Sequence, residues 1–137
     1  MRSPDILILG VLLLLFSCKD PQDLKHERFI SHGLVLYQEH CGRCHGGDGK
    51  GLGTLYPPLL NSDYLVENQD SLACMIRKGK VGEIMVNGIM YNQPMPGNEE
   101  LLEEEIAQII NYVNTAWGDD KSFYSTEKVE KNLKNCY

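Results

Sequence analysis

The clearest periodicity lies in the C-terminal third of the chain. Apolar side chains recur there at the three- and four-residue spacing of a core-facing helix: Leu102, Ile106, Ile109, Ile110 and Val113. Glutamates crowd the start of this stretch, between Glu99 and Glu105, where negative charge is favourable to the helix dipole. The pattern predicts a helix that ends near Trp117 and Gly118.

The same spacing predicts three other helices. One lies upstream, with a single apolar face made by Ile30, Leu34, Tyr37 and Cys41. A short one begins at Asp70 or Ser71, stops near Gly79, and contains Leu72, Cys74, Met75 and Ile76. The last is an amphipathic helix opened by Ser125, with Val129, Leu133 and Cys136 on one face. Glycine and proline are frequent from 46 to 66 and from 79 to 98, which predicts loops without strands. We therefore expect an all-α fold.

The first residues have the pattern of an export signal. Positive charge at Arg2 precedes an apolar run from Ile6 to Phe16 that is too short to cross a bilayer. The run leads into Ser17-Cys18, which resembles a bacterial lipobox, and in such motifs the cysteine is lipidated. An uncleaved anchor and an ordinary cleaved signal are the alternatives. All three interpretations of this segment predict export. A lipidated Cys18 would hold the protein on the periplasmic side of a bacterial membrane.

Length and charge limit the remaining possibilities. We expect a signal peptide over residues 1–17, an extended tether of at most about 35 Å over 18–28, one domain over 29–118 and a helical extension over 119–137. The formal net charge of −6 argues against nucleic-acid binding.

Residues 41–45 read Cys-Gly-Arg-Cys-His, the CxxCH attachment motif for c-type haem. Cys41 and Cys44 would each bind the porphyrin covalently, and His45 would then ligate the iron. A zinc site would need two more ligands, and the other histidines all lie upstream without a second CxxC. The single motif predicts one covalent haem c.

A second axial ligand would come from a methionine or a histidine. Met95 lies between two prolines, which stiffen the loop and favour extended backbone. Met85 and Met90 lie in more flexible sequence, and Met75 has the position of an apolar filler on a helix. We expect Met95 to be the ligand, with Met90, a histidine or an open site as alternatives.

Together these segments resemble class I cytochromes c, specifically small bacterial monohaem domains, over residues 29–118. Gly33 and Tyr37 stand eight and four residues before Cys41, where the family has a glycine and an aromatic residue on its first helix. Ile109 and Tyr112 match the apolar and aromatic pair of its last helix. The resemblance implies a cytochrome c fold of three to four core helices around one haem, here with an extra C-terminal helix.

The resemblance also implies a partner for His45. Residues 56–59 look like the family segment in which a proline carbonyl accepts the proton of the haem histidine; the alignment favours Pro57, with Pro58 as the alternative. The chain departs from the family at Leu102, where a serine commonly caps the last helix. We expect Asn98 to cap an earlier turn instead.

The cysteine count leaves one pair unassigned. Of five cysteines, Cys18 is assigned to lipid and Cys41 and Cys44 to haem. An oxidising compartment favours pairing of the other two. We expect a Cys74–Cys136 disulfide; the alternative is a buried Cys74 and a free terminal thiol.

These features predict a non-enzymatic, membrane-tethered carrier of single electrons between respiratory redox proteins, expected to be a monomer. A set of basic residues would frame the haem edge and steer partners, or would form a merely solvated loop: Arg43, Lys50, Arg77, Lys78 and Lys80. Two alternatives remain, a haem-based gas sensor and a fixed electron-transfer subunit of a larger oxidoreductase complex. The sequence does not identify the donor or the acceptor.

Overall fold

The computed structural model describes residues 20–136, which form six α-helices, one 3₁₀ turn and four short strands. No helix in this range has the length and apolar character needed to cross a bilayer. The elements in chain order are α1 (Pro21–His40), α2 (Gly42–His45), α3 (Asp63–Glu67), the 3₁₀ turn (Gln69–Ser71), α4 (Leu72–Lys78), β1 (Gly79–Lys80), β2 (Ile84–Val86), β3 (Ile89–Tyr91), β4 (Met95–Pro96), α5 (Glu103–Ala116) and α6 (Thr126–Leu133).

The two longest helices, α1 and α5, cross at Gly33. A Cβ added at Gly33 would overlap the carbonyl of Gln108 and lie 2.8 Å from the Cβ of Tyr112, so this close approach requires glycine. Three aromatic rings pack beside the crossing, with centroids 5.0 to 5.4 Å apart: Tyr37, Tyr112 and Trp117. The crossing positions the C-terminal end of α1, and therefore the CxxCH motif that follows it.

The buried faces of these helices differ from the predicted ones at several positions. On α1 the buried residues are Phe29, Gly33 and Tyr37, whereas Leu34 is 37% exposed. At the start of α5, Leu101 is buried and Leu102 is 63% exposed. The reason at α5 is that Leu102 is the residue before the first helical turn, with extended backbone, so it does not follow the helical period.

The predicted tether is also different in the structure. Residues 21–28 form the first turns of α1, which begins where the Asp20 carboxylate accepts a hydrogen bond from the Gln22 amide at 2.8 Å and proline occupies the first position. This segment packs on the chain after α5, since the His26 and Phe123 rings meet edge to face at 5.5 Å. The 18–28 segment is therefore not an extended chain from Pro21 onward.

The expectation of no strands was wrong for residues 79–98. Two antiparallel two-stranded ladders occur there, β1 with β4 and β2 with β3. Their strands are two or three residues long, too short for an alternating pattern to be visible in the sequence. The fold remains mainly helical, and the ladders shape the loop that carries Met95.

The start of α5 has a cap of an unusual kind. Leu102 has no side chain that could accept a hydrogen bond, but the Glu105 carboxylate accepts one from the Leu102 amide at 2.7 Å. One turn earlier, the side-chain oxygen of Asn98 accepts from the Glu100 amide at 3.1 Å, as expected.

The C-terminal extension folds back onto α4 and α5. Ser125 caps α6, accepting from the Lys128 amide at 3.2 Å, and Val129 is fully buried. Buried Asn111 of α5 bonds both backbone groups of Tyr124, donating to its carbonyl at 2.8 Å and accepting from its amide at 3.0 Å. These contacts fix the segment between the two helices.

A disulfide links α4 to the end of the extension. The sulfur atoms of Cys74 and Cys136 are 2.09 Å apart and their Cα atoms are 5.6 Å apart. Cys74 is buried on α4, beside residues that line the main cleft of the protein. The extension is therefore connected covalently to a wall of that cleft.

Candidate functional site

One deep cleft lies between the α1–α2 corner, α4, α5 and the strand region. It encloses about 1100 Å³ of empty space, including open solvent at its mouth. Aliphatic side chains make up much of its wall: Leu59, Leu65, Leu72, Ile109, Ile110 and Val113. Such a wall favours a large apolar group and excludes water.

The two thiols of the CxxCH motif line this cleft from one helical turn. Cys41 ends α1, its amide donating to the Tyr37 carbonyl at 2.8 Å, and α2 then places Cys44 one turn further. Both thiols are free and half-buried. Burial, and secondarily the neighbouring Cys44, raises the pKa of Cys41 to about 11. Three-residue spacing on a helix presents both sulfurs on the same side.

His45 is oriented by the backbone of the following loop. Its Nδ1 lies 3.0 Å from the carbonyl oxygen of Pro57, and because a carbonyl only accepts, Nδ1 carries the proton. Burial lowers the pKa of His45, and the bond to Pro57 opposes that shift only in part. The imidazole is therefore neutral, with its Nε2 lone pair available as a ligand.

Tyr37 connects α1 to the loop after the motif. Its buried hydroxyl donates to the Gly46 carbonyl at 2.7 Å, and burial raises its pKa, so it remains a donor. The sequence indicated an aromatic residue here but not this hydrogen bond. The bond holds the backbone just after His45.

Of the methionines considered as ligands, Met95 and Met75 line the cleft. Met95 is half-buried on β4, opposite Lys80 of β1, whereas Met75 is buried on α4. Met85 and Met90 form a cross-strand pair on β2 and β3 and are 57% and 49% exposed. The structure thus places Met85 and Met90 on the surface and leaves two candidates at the cleft.

The basic residues predicted to frame the cleft are partly paired within the chain. Arg77 Nη2 lies 2.9 Å from Glu103 Oε1, and Lys50 Nζ lies 2.8 Å from Asp48 Oδ2. Lys80 lines the cleft. Two of the five basic side chains are therefore paired with nearby carboxylates, and the net positive charge of the five together with these partners is smaller than the sequence suggests.

Two predicted site residues remain, the expected lipidation site and the alternative partner of His45. Cys18, the expected lipidation site, precedes residue 20 and is not described by the structure. Pro58 also lines the cleft, but the carbonyl that meets His45 belongs to Pro57.

Comparison with known proteins identifies the family. The family model described as "Cytochrome c" matches residues 30–117. The chain belongs to the cytochrome c family. It therefore holds one covalently attached haem c, for which Cys41 and Cys44 are positioned. The observed site fits this group, since two free thiols and a neutral imidazole line one apolar cleft.

Individual relatives include a cytochrome c-552 and cytochrome c subunits of an enzyme. The chain is 32% identical over 108 residues to cytochrome c-552 of Thermus thermophilus, covering 72% of this chain and 82% of that protein. It is 34% identical over 89 residues to the cytochrome c subunit of a quinone alcohol dehydrogenase from Gluconacetobacter polyoxogenes, covering 64% of this chain and 19% of that subunit. The corresponding subunit of Gluconobacter oxydans is 28% identical over 90 residues, with the same two shares. The family members that match are electron-transfer cytochromes.

Sequence reasoning missed the polar residues that join α5 to the 3₁₀ turn and to the C-terminal extension. Gln69 and Asn114 form a reciprocal side-chain pair at 2.8 and 3.0 Å, and Asn111 binds the backbone of Tyr124. A signal was present: Asn111 and Asn114 interrupt the apolar side of α5, and a polar residue at such a position needs a partner.

Proposed function

We propose that this chain is a membrane-tethered electron carrier whose haem iron is ligated by His45 and Met95. When bound, the haem supplies one-electron chemistry between ferrous and ferric iron. The observation that carries the proposal is that a neutral, oriented His45 and Met95 line the same apolar cleft as the two attachment thiols. His45 and Met95 would hold the iron from the protein, and the haem would then exchange electrons without an open position for a substrate.

The backbone around His45 supports its role as the first ligand. Pro57 fixes the ring by accepting from Nδ1, and Tyr37 fixes the backbone after the ring by donating to Gly46. A ligand held in place by such bonds does not have to reorient when the charge of the iron changes. This rigidity supports an electron carrier rather than a site that rearranges.

Met95 is favoured over Met75 because of its backbone. Met95 belongs to β4, and it stands between Pro94 and Pro96, which also line the cleft. Met75 is part of α4 and is buried among the residues of the apolar core. A stiff loop loses little conformational entropy when its side chain binds a metal.

The first experiment compares optical spectra of the full chain, matured with haem, in wild type, Met95→Leu and Met75→Leu. The wild type is expected to show the weak far-red ferric band of iron–thioether ligation. Met95→Leu should lose it, and Met75→Leu, the matched control, should keep it. A high-spin wild type that binds carbon monoxide rapidly would instead support the gas-sensor alternative.

We further propose that lipid on Cys18 holds the domain on the periplasmic side of the membrane. The support is the apolar run of residues 6–16 followed by Ser17-Cys18. The protein should partition into detergent and its mass should include acyl chains, whereas Cys18→Ala should be recovered in the aqueous phase. Equal partitioning of the two would argue against a lipid anchor.

A fixed subunit of an oxidoreductase complex is the second candidate. It is favoured by the similarity to cytochrome c subunits of quinone alcohol dehydrogenases and by the additional helix α6. Purification of the native protein from detergent-solubilised membranes distinguishes a fixed subunit from a mobile carrier. A single stoichiometric partner in size-exclusion chromatography supports the subunit, and a monomeric holoprotein supports the mobile carrier.

A further inference from the structure

The backbone of Met95 is paired with the residues at the end of α4. Its strand β4 pairs with β1, the two residues that directly follow α4, with Lys80 opposite Met95 and Gly79 opposite Pro96. Just beyond β4, the Asn98 amide donates to the Ile76 carbonyl of α4 at 2.9 Å. The position of α4 therefore determines where the Met95 backbone lies.

The contact between this loop and α4 is close enough to transmit small displacements. A Cβ added at Gly97 would lie 2.5 Å from the carbonyl carbon of Lys78 and 2.6 Å from the Arg77 oxygen. Backbone therefore packs directly on backbone at this point, without an intervening side chain that could absorb a shift.

Helix α4 has seven residues and needs external support. A helix of two turns is not stable in isolation, so its position depends on its contacts with the rest of the protein. Its buried residues Leu72, Ala73 and Met75 face the core, and Arg77 pairs with Glu103 at the start of α5. The covalent contact is Cys74, which is joined to Cys136.

The partner of Cys74 lies on a segment that is itself firmly held. Tyr124 is 2% exposed; its hydroxyl donates to the Gln69 carbonyl at 3.2 Å and accepts from Asn132 at 2.7 Å. Lys128 lies over the Tyr124 ring, 4.4 Å from its centroid, and 3.7 Å from the Asp70 carboxylate. The extension is thus locked to the 3₁₀ turn that leads into α4.

We propose that Cys74 and Cys136 are positioning residues for Met95: their disulfide fixes α4 on the extension, and the β1–β4 ladder passes that restraint to the iron-binding loop. The inference rests on the proposed function, because it takes Met95 as an axial ligand. It gives the C-terminal extension a role inside the haem site, although none of residues 119–136 lines the cleft.

The test compares full-length holoprotein in three forms: wild type, the double variant Cys74→Ala/Cys136→Ala, and Val129→Ala. Val129 is fully buried on α6, so its truncation weakens packing of the extension while the disulfide remains. For each form, the far-red thioether band and the helical circular dichroism are followed through one guanidinium titration, and the rate of carbon monoxide binding to the ferrous protein is measured.

The double variant is expected to lose the thioether band at lower guanidinium than its helical signal, and to bind carbon monoxide about tenfold faster than wild type. In Val129→Ala both signals should disappear together, and the binding rate should stay near the wild-type value. If the double variant also loses both signals together, with an unchanged binding rate, the disulfide is merely a staple for stability and the inference is overturned. A wild type without the band overturns the His/Met proposal and this inference with it.

A double variant that fails to mature is replaced by treated wild type. The disulfide is reduced with a phosphine, both thiols are alkylated and verified by mass, and the iron is reoxidised before the same two measurements. The same early loss of the band and faster binding are expected, and their absence overturns the inference.

Discussion

The two sides of the haem cleft are built in different ways. On one side, α1 and α5 cross at Gly33 and are held by buried apolar side chains and three aromatic rings packed at tilted or edge-to-face angles. On the other side, α4 and the β1–β4 ladder are short, and they are held by a disulfide to the extension, an ion pair with α5 and a hydrogen bond from Tyr124 to the 3₁₀ turn before α4. The first side carries the CxxCH motif and the second carries Met95.

This difference separates two kinds of stability. The helix crossing consists of long elements in continuous contact, so a fault there should affect the whole fold. The Met95 side consists of elements too short to fold alone, so a fault there should first appear as local opening. Stability of the fold and stability of the proposed iron–methionine bond should therefore respond to different substitutions.

The largest effect is expected at the helix crossing. Gly33→Ala would place a methyl group into the carbonyl of Gln108, and separating the helices should cost more than about 4 kcal/mol in free energy of unfolding. Guanidinium unfolding and the yield of holoprotein measure this. Gly47→Ala is the matched control, since nothing lies within 4 Å of an added Cβ there. Equal stability of the two variants would contradict the account of the crossing.

The next largest effect concerns the disulfide. It closes a sequence separation of 62 residues, for which the chain-entropy model gives about 4 kcal/mol. We expect Cys74→Ala/Cys136→Ala to lose between about 2 and 4 kcal/mol of unfolding free energy. Alkylation of denatured, unreduced wild-type holoprotein should modify neither cysteine, as shown by intact mass. Two modified thiols would show that the pair is not oxidised.

The free energy of unfolding should depend on pH through the buried tyrosine of the extension, Tyr124. Burial raises the pKa of Tyr124 from 10.0 to about 12. The folded state keeps the proton that the unfolded state loses, so this stabilisation is complete below pH 10 and disappears between pH 10 and pH 12. The expected loss is on the order of 2 kcal/mol.

Tyr124→Phe tests this expectation. At neutral pH the variant should lose about 1 kcal/mol, because two hydrogen bonds of the hydroxyl are removed. Between pH 10 and pH 12 its unfolding free energy should fall less steeply than that of wild type, as measured by guanidinium titrations at fixed pH. Parallel curves would mean that the phenol does not titrate as described.

The smallest effect is expected at the end of α5. Lys121 Nζ donates to the carbonyls of Asn114 and Thr115 at 2.7 and 2.9 Å, and a cation there favours the helix dipole. Lys121→Met should cost about 1 kcal/mol at low salt and less at high salt. Lys131→Met, at an exposed position of α6, is the control and should be close to neutral. A Lys121→Met effect that does not change with salt would exclude the electrostatic explanation.

The sequence predicted the long elements and the chemistry well because each depends on local pattern. The period of Ile106, Ile109 and Ile110 marks α5, and all three residues are buried. The CxxCH spacing identified the haem-binding turn without any tertiary information. The carbonyl of Pro57 was reached only through resemblance to a family, since nothing local indicates that this loop returns to His45.

The errors have physical reasons as well. Strands of two or three residues have no period to detect, so the sequence predicts a loop where β1 and β4 lie. The apolar period predicts a buried Leu102, but its extended backbone interrupts the helical phase at the start of α5 and its side chain is exposed. The contacts of Asn111 and Lys121 are tertiary, and the sequence does not show which carbonyls a side chain will reach.

The early start of α1 has a geometrical consequence for a lipidated protein. Only two residues lie between Cys18 and Pro21, so the chain between them spans at most about 10 Å. Helix α1 then runs for 20 residues, about 30 Å, directly to the haem-binding turn. With lipid on Cys18, α1 is a rigid spacer between the bilayer surface and the redox centre. The distance between the haem and the bilayer surface would then depend on the angle between this helix and the membrane. Redox partners whose own centres lie at a similar distance from the bilayer would be favoured.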